Sequence, residues 1–367
     1  MVGFPVFEDI TIQSKVYPYR VYFRSPASAW TSLVKGKGKL HVIIDERVHA
    51  LYRTYLSGLL QSGTVLSVAA NENEKCLDAL NNHVRGLLAN KVQKRDLLVG
   101  IGGGVIQDIT GFLASTIHRG LDWKFIPTTL LAQADSCIGS KNGINVGDVK
   151  NILGTFFPPR EIFIDHHFLS TLQMADLQSG IGEILKANAI DGPERFDDLS
   201  RRLVLMTEDI GVLLKEVYQA LLIKKEYIER DEFDTDERRL FNYGHTFGHA
   251  LEAGTDFAIP HGLAVSAGMD MANYMSKTLG LLKEQDYIDI HSTLRQVYSH
   301  SPQTALNFET FLSAFASDKK AIGNGRVQII IPNKMRNLIK KEIQIDEKFS
   351  ATCGRFLDGW AGITRVN

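Results

Sequence analysis

The 367-residue chain has only three cysteines, Cys76, Cys137 and Cys353. They are too few and too scattered for a disulfide framework or a cysteine-rich metal site, and they read as reduced thiols. The chain also lacks a net charge: 41 basic residues stand against 42 acidic ones. Near-neutrality argues against non-specific nucleic-acid or membrane binding, and it leaves room for a local basic pocket for a small anion. No apolar run reaches membrane-spanning length. The first residues, Met1-Val2-Gly3-Phe4-Pro5, lack a basic region followed by an apolar core, so no signal peptide is expected and a cytoplasmic location is. No internal repeat or low-complexity segment stands out. What remains is 44% hydrophobic and 23% charged, the balance of a soluble globular enzyme, and long enough for two domains.

The first half alternates short apolar runs with helical patterns. Strands are expected at 40–45, 64–68, 96–101, 123–127 and 161–165, with helices near 48–61, 73–90 and 105–117. Continuously apolar strands alternating with helices imply a parallel sheet covered on both faces. From about residue 172 the period becomes helical: 172–190, 194–205, 210–229, 245–254, 263–281, 283–298, 308–316 and 347–359, with a short β-type excursion at 325–332. The fold class expected is an α/β Rossmann-like domain, residues 1–170, followed by a mostly α-helical domain, residues 171–367.

Chemistry gathers at several places. His245 and His249 are four apart, on one face of a helix, and His261 follows. Imidazoles at this spacing suit a zinc-like ion. The metalloprotease pattern needs a Glu directly after the first His, and Thr246 stands there instead. Glu183 and Lys186 are three apart on a helix; they read as an ion pair, or Glu183 reads as a carboxylate partner of the histidines. The strand ending at Ile101 runs into Gly102-Gly103-Gly104, which fits either a pyrophosphate-binding turn or an ordinary tight turn. Asp45, at a strand end, is compatible with a ribose contact and equally with a solvated turn acid. Glu72 and Lys75 fit adenosine-flanking or surface roles. Asp135 to Asn151, dense in Gly, Ser, Asn and Lys, reads as a loop, either one gripping phosphate or a plain surface one.

An ordered set of motifs then carries a resemblance. Gly102-Gly103-Gly104-Val105-Ile106 with Asp108, Arg119-Gly120, Pro127-Thr128-Thr129-Leu130-Leu131-Ala132-Gln133 with Asp135-Ser136, Lys141, Lys150-Asn151, Gly182-Glu183 with Lys186, Asp231-Glu232, Arg238, Asn242-Tyr243-Gly244-His245-Thr246-Phe247-Gly248-His249, His261-Gly262 and Asp318-Lys319-Lys320 follow in sequence. Over roughly residues 40–330 the chain resembles 3-dehydroquinate synthase and the wider sugar phosphate cyclase family. The resemblance implies NAD and a divalent metal, zinc or cobalt, as cofactors, and a homodimer. It implies metal ligands Glu183, His245 and His261, with His249 moved to a substrate-contacting role. NAD contacts would include Asp45, Glu72, Lys75, Gly103, Gly104, Asp108, Thr128, Thr129, Lys141 and Lys150. Substrate contacts would include Asp135, Lys141, Asn151, Lys186, Lys224, Arg238, Asn242, His249 and Lys319 or Lys320, with Arg119 reaching the phosphate of a neighbouring subunit.

The activity implied is a carbon–oxygen lyase reaction on a small anionic sugar phosphate: transient oxidation by NAD, phosphate elimination, re-reduction and intramolecular aldol closure. Cyclases of sedoheptulose 7-phosphate or glucose 6-phosphate tend to lose the residues equivalent to Lys224, Arg238 and Asn242, which this chain keeps. A carboxylate-bearing substrate, 3-deoxy-arabino-heptulosonate 7-phosphate, is therefore favoured, with the amino analogue of aminodehydroquinate synthases next. Metal-dependent alcohol and glycerol dehydrogenases share the glycine turn but need no phosphate site. Three positions depart from the usual family pattern: Gln107 where glycine is usual, Leu263 where Glu follows His-Gly, and the run Ser140 to Asn151.

Overall fold

The structure, a computed structural model, describes residues 6–25, 38–147, 149–317, 321–323 and 325–366. Lys319 and Lys320 lie outside the described residues. Chain contacts divide the protein into two compact units, Met1–Leu172 with Val217–Asp234, and Gln173–Glu216 with Thr235–Asn367.

The first unit is built on a sheet with strands β1 (Ile10–Ile12), β2 (Tyr19–Phe23), β3 (Leu40–Asp45), β4 (Gly63–Val68), β5 (Leu97–Gly102), β6 (Asp122–Pro127) and β9 (Glu161–Ile164). Their order is β1-β2-β9-β6-β5-β3-β4. β1 pairs antiparallel with β2, and the remaining pairs are parallel. Every residue of β5 is buried, as expected of a strand covered on both faces. Helices α1 (Glu46–Tyr52), α2 (Ser57–Gln61), α3 (Leu77–Ala89) and α4 (Gly104–Thr116) connect the parallel strands. Val42, Ile44, Tyr52, Leu56, Val99, Ile101 and Phe168 form its apolar core. The expected helix over 48–61 is broken into α1 and α2, with Tyr52 and Leu56 both buried around the break.

The strand order reverses at β3. The chain runs from β3 out to β4, then returns to β5 on the other side of β3. In open α/β sheets ligands bind outside the strand carboxyl ends at such a switch point. Asp45 and Gly102 end the two strands there. At the opposite end, buried His41 bridges Thr64 (2.7 Å) and Asp96 (3.2 Å). Asp96 also accepts from the Lys39 and Gln93 amides, both at 2.8 Å. Burial opposes ionisation of Asp96, but those hydrogen bonds outweigh it and hold its carboxyl below the usual range. A depressed folded-state pKa contributes stability above the ordinary aspartate pKa of about 3.9, lost as pH falls through the lower folded value. Asp96→Asn puts an NH₂ against an amide donor and is expected to cost about 2–3 kcal/mol at pH 7. In denaturant unfolding the gap should stay flat down to about pH 5 and shrink below about pH 4. A gap independent of pH would show that ionisation of Asp96 contributes nothing.

One expectation is corrected. Residues 135–151 do not form a loop throughout. A π-helical turn, Ala132–Ser136, leads into a hairpin of β7 (Lys141–Val146) and β8 (Val149–Phe156), with Lys141 opposite Phe156 and Val146 opposite Val149. Backbone pairing absorbs the Gly and Asn residues that signalled a loop.

The second unit contains helices α5 (Met174–Asp191), α6 (Pro193–Ser200), α7 (Leu205–Glu208), α9 (His245–Gly254), α10 (His261–Thr278), α11 (Glu284–Tyr298), α12 (Phe308–Ala316) and α13 (Glu347–Asp358). The division of units falls within α8 (Ile210–Arg230). β10 (Thr304–Asn307) pairs parallel with β14 (Ile363–Val366). The expected excursion at 325–332 is the central strand of three, β11 (Ala321–Gly323), β12 (Arg326–Pro332) and β13 (Leu338–Gln344). Phe247, Phe315 and Phe349 pack at centroid distances of 4.9 Å and 4.7 Å beneath α9. Among the described residues no helix is long and apolar enough to cross a membrane.

Candidate functional site

The histidines of the second unit converge. One ligand atom from each of His245, His249 and His261 lies within 4.8 Å of the others. His245 and His249 share one face of α9, and His261 opens α10. Glu183, on α5, is 2% exposed, and its Oε1 lies 3.7 Å from His261 Nε2. Its other oxygen is engaged by buried Lys186, so the ion pair and the approach to the histidines coexist.

The donor set fits a divalent ion. His245 Nδ1 lies 3.3 Å from the Tyr243 carbonyl, which can only accept, so Nδ1 carries the proton and Nε2 the lone pair. His261 Nδ1 lies 3.3 Å from Glu252 Oε2, which in the same way puts the lone pair on its Nε2, the nitrogen that could hold an ion. Burial disfavours a charged His261, but Glu252 and then Glu183 outweigh burial and raise its pKa above the ordinary histidine value. Glu252 was given no role from the sequence. The signal was present: 245, 249 and 252 lie at i, i+4 and i+7, one helical stripe.

In the first unit the glycine turn behaves as a dinucleotide cradle should. Gly103 caps α4 with extended backbone and no side-chain hydrogen bond, so the helix N-terminus is unblocked by a capping side chain. A Cβ on Gly102 would lie 2.4 Å from Ile106 Cγ1, whereas one on Gly104 would meet nothing within 4 Å. The turn therefore needs a glycine at its base and is open at its mouth, which suits a pyrophosphate. The Thr128 amide donates to the Gly102 carbonyl (3.0 Å), and Thr129 Oγ1 accepts from the Ala132 amide (3.2 Å). Asp45 caps α1 by accepting from the Arg47 amide at 2.7 Å.

Glu72, Lys75, Asp108 and Asn151 are brought into one network. Lys75 is only 4% exposed, not a surface charge, and its Nζ reaches Asp108 (2.7 Å), Asn151 Oδ1 (3.0 Å) and Glu72 (3.7 Å). Asp108 accepts from the Gly143 amide (3.0 Å), and Asn145 links Glu72 (2.8 Å) to the Asn151 amide (2.9 Å). Asn145 had no assigned role; no sequence spacing signals a contact across 73 positions.

The remaining cationic residues fall in both units. In the first, Lys224 Nζ meets Asp135 at its carbonyl (2.6 Å) and carboxylate (3.0 Å). Lys141 pairs with Asp234 at 2.5 Å, Lys150 is half-buried on β8, and Arg119 is exposed with left-handed backbone, φ 59°. In the second, Arg238 is 5% exposed in the 3₁₀ turn Glu237–Asn242, and Asn242 Nδ2 donates to the Arg239 carbonyl (3.1 Å).

Known proteins are similar to this chain. Family models described as 3-dehydroquinate synthase N-terminal and C-terminal match residues 65–179 and 180–321. A 3-dehydroquinate synthase of Campylobacter curvus (strain 525.92) is 33% identical over 342 residues, 92% of this chain and 96% of that protein. Two solved structures share the fold. One is the 2-epi-5-epi-valiolone synthase ValA of Streptomyces hygroscopicus subsp. jinggangensis 5008 with NAD+ and Zn2+ bound. It has a TM-score of 0.83 at 24% identity and covers 97% of this chain and 99% of its own. The other is a 2-deoxy-scyllo-inosose synthase complexed with carbaglucose-6-phosphate, NAD+ and Co2+, with a TM-score of 0.81 at 18% identity, covering 96% of this chain and 100% of its own. On the matched domains and the length and identity of the relative, the chain belongs to the 3-dehydroquinate synthase family.

Proposed function

We propose that the protein is an NAD- and metal-dependent 3-dehydroquinate synthase. It would convert 3-deoxy-arabino-heptulosonate 7-phosphate to 3-dehydroquinate and phosphate, a shikimate-pathway step toward aromatic amino acids. The observation that carries this reading is the imidazole cluster, His245, His249 and His261, with Glu183 3.7 Å from His261 Nε2. Two histidines and a carboxylate leave positions open, as a catalytic rather than a structural site requires.

When bound, the dinucleotide would supply hydride acceptance and return, and the ion Lewis acidity at the oxygen undergoing oxidation. The Gly103–Gly104 turn would hold the pyrophosphate, flanked by Asp45, Glu72, Lys75, Asp108, Thr128, Thr129, Lys141 and Lys150. Glu183, His245 and His261 would hold the ion, with Glu252 and the Tyr243 carbonyl fixing the two rings. The buried guanidinium of Arg238, with Asn242, suits a substrate carboxylate, and the buried ammonium of Lys224 suits an anionic group of the substrate. Asp135, Lys141, Asn151, Lys186, His249 and Lys319 would complete the polar contacts. Residues 1–170 would then serve the cofactor and 171–367 the metal and substrate. Exposed Arg119 suits contact with a second copy, and we place the protein as a cytoplasmic homodimer.

Incubated with the heptulosonate phosphate, NAD and zinc or cobalt, the enzyme is expected to release inorganic phosphate without accumulating NADH. Stoichiometric NADH with no phosphate would identify a metal-dependent dehydrogenase instead. Turnover of sedoheptulose 7-phosphate, glucose 6-phosphate or the amino analogue in place of the heptulosonate would move the assignment to the corresponding cyclase.

A further inference from the structure

Gln107 has no part in the functional reading so far. It is the fourth residue of α4 and is 6% exposed. Its Nε2 donates to the Ser136 carbonyl at 2.6 Å, and its Oε1 accepts from Ser136 Oγ at 2.8 Å. Two reciprocal bonds between the same residues fix orientation as well as distance. They join the helix whose N-terminus forms the glycine cradle to the π-helical turn Ala132–Ser136. That turn is closed by the Cys137 amide donating to the Ala132 carbonyl at 3.1 Å. A π turn is a rare, marginal geometry that survives where its surroundings hold it. Asp135, one residue before Ser136, holds Lys224 through two oxygens, at 2.6 Å and 3.0 Å.

We propose that Gln107 is a positioning residue. Through Ser136 it holds the π turn, and through Asp135 it sets where the Lys224 ammonium stands to receive the anionic end of the substrate. The proposal rests on the reading of Lys224 as a substrate contact.

The test uses the full-length enzyme loaded with NAD and zinc, with Gln107→Ala, Ser136→Ala and the double variant. Brief acetic anhydride labelling, read by peptide mass spectrometry, reports how firmly the Lys224 ammonium is held. Exposed Lys91 serves as the control. Lys224 labelling is expected to rise about tenfold in each single variant, with Lys91 unchanged. KM for the heptulosonate phosphate should rise about tenfold, with kcat within about threefold and the NAD dissociation constant within about twofold. The double variant should be no worse than Gln107→Ala, because the two residues act as one unit. Ser136→Ala keeps the test open should Gln107→Ala fold poorly. Unchanged Lys224 labelling in both single variants would overturn the proposal. So would parallel losses in NAD affinity and kcat, the mark of a merely structural amide. Increased labelling with an unmoved KM would overturn the substrate link. Failure of the underlying functional reading looks different: the unsubstituted enzyme would release no phosphate.

Discussion

Replacing His261 with alanine is expected to strip the metal and lower kcat/KM by about 10³-fold or more. His245→Ala should do the same. Each of these rings has its Nδ1 committed, to Glu252 and to the Tyr243 carbonyl, so each has a single nitrogen aimed where an ion would sit. His249 is exposed and equally close, which makes it the discriminating case. If Glu183 is the third ligand, His249→Ala loses activity and keeps its metal. Metal content of the purified variants decides between the two sets. Equal metal loss in all three would make His249 a ligand and overturn the set of Glu183, His245 and His261. The raised proton affinity of His261 adds a direction. Protonation at Nε2 competes with the ion, so the apparent metal affinity should weaken on acidification, beginning at a higher pH than for an ordinary histidine ligand.

What was legible in the sequence follows from how far apart the interacting residues lie. The parallel strands announce themselves because burial on both faces makes them continuously apolar, as in Leu97–Gly102. The longer helices of the second unit were legible within a few residues because they keep their period over several turns, as α5 and α11 do, whereas the helix expected over 194–205 ends at Ser200 and is followed by the separate one-turn α7. The hairpin β7–β8 was not, because β8 buries almost nothing: Val149, Ile152 and Leu153 are all exposed, so no inward-facing alternation marks it. β1 has three residues and no pattern to read. At the candidate metal site the histidines were visible as a local spacing, whereas the approach of Glu183 to His261 spans 78 positions, and the residues alone left Glu183 open between an ion pair with Lys186 and a partner of the histidines. The Lys75–Asp108 pair was missed for the same reason. Charge density predicts a solvated face, and only the fold shows that Lys75 is enclosed.

Gly262→Ala is expected to damage the fold and the metal centre together, although it removes no ligand. Glu183 and His261 sit beside glycines, Gly182 and Gly262, at the crossing of α5 and α10. There the helices touch through backbone. The Gly262 amide donates to Ser179 Oγ at 2.9 Å, and Ser266 Oγ donates to the Gly262 carbonyl at 2.7 Å. A Cβ on Gly262 would lie 2.0 Å from the Ser179 carbonyl oxygen, and one on Gly182 would lie 2.7 Å from the Gly262 carbonyl oxygen. No rotamer change relieves a clash with backbone, so the helices must separate, at an expected cost of about 2–4 kcal/mol. For a protein of this size that lowers the unfolding midpoint by roughly 3–5 °C. Moving α10 from α5 also widens the gap between His261 and Glu183, so if both are ligands as proposed, zinc affinity should fall about 10²-fold. Ser179→Gly in the same chain removes the Oγ contact at 2.6 Å but leaves the carbonyl, and it should therefore not rescue the variant. Thermal unfolding with and without zinc, and zinc titration of the metal-free protein, measure both effects. A Gly262→Ala protein with unaltered midpoint and zinc affinity would show that the crossing does not hold the two ligands in place.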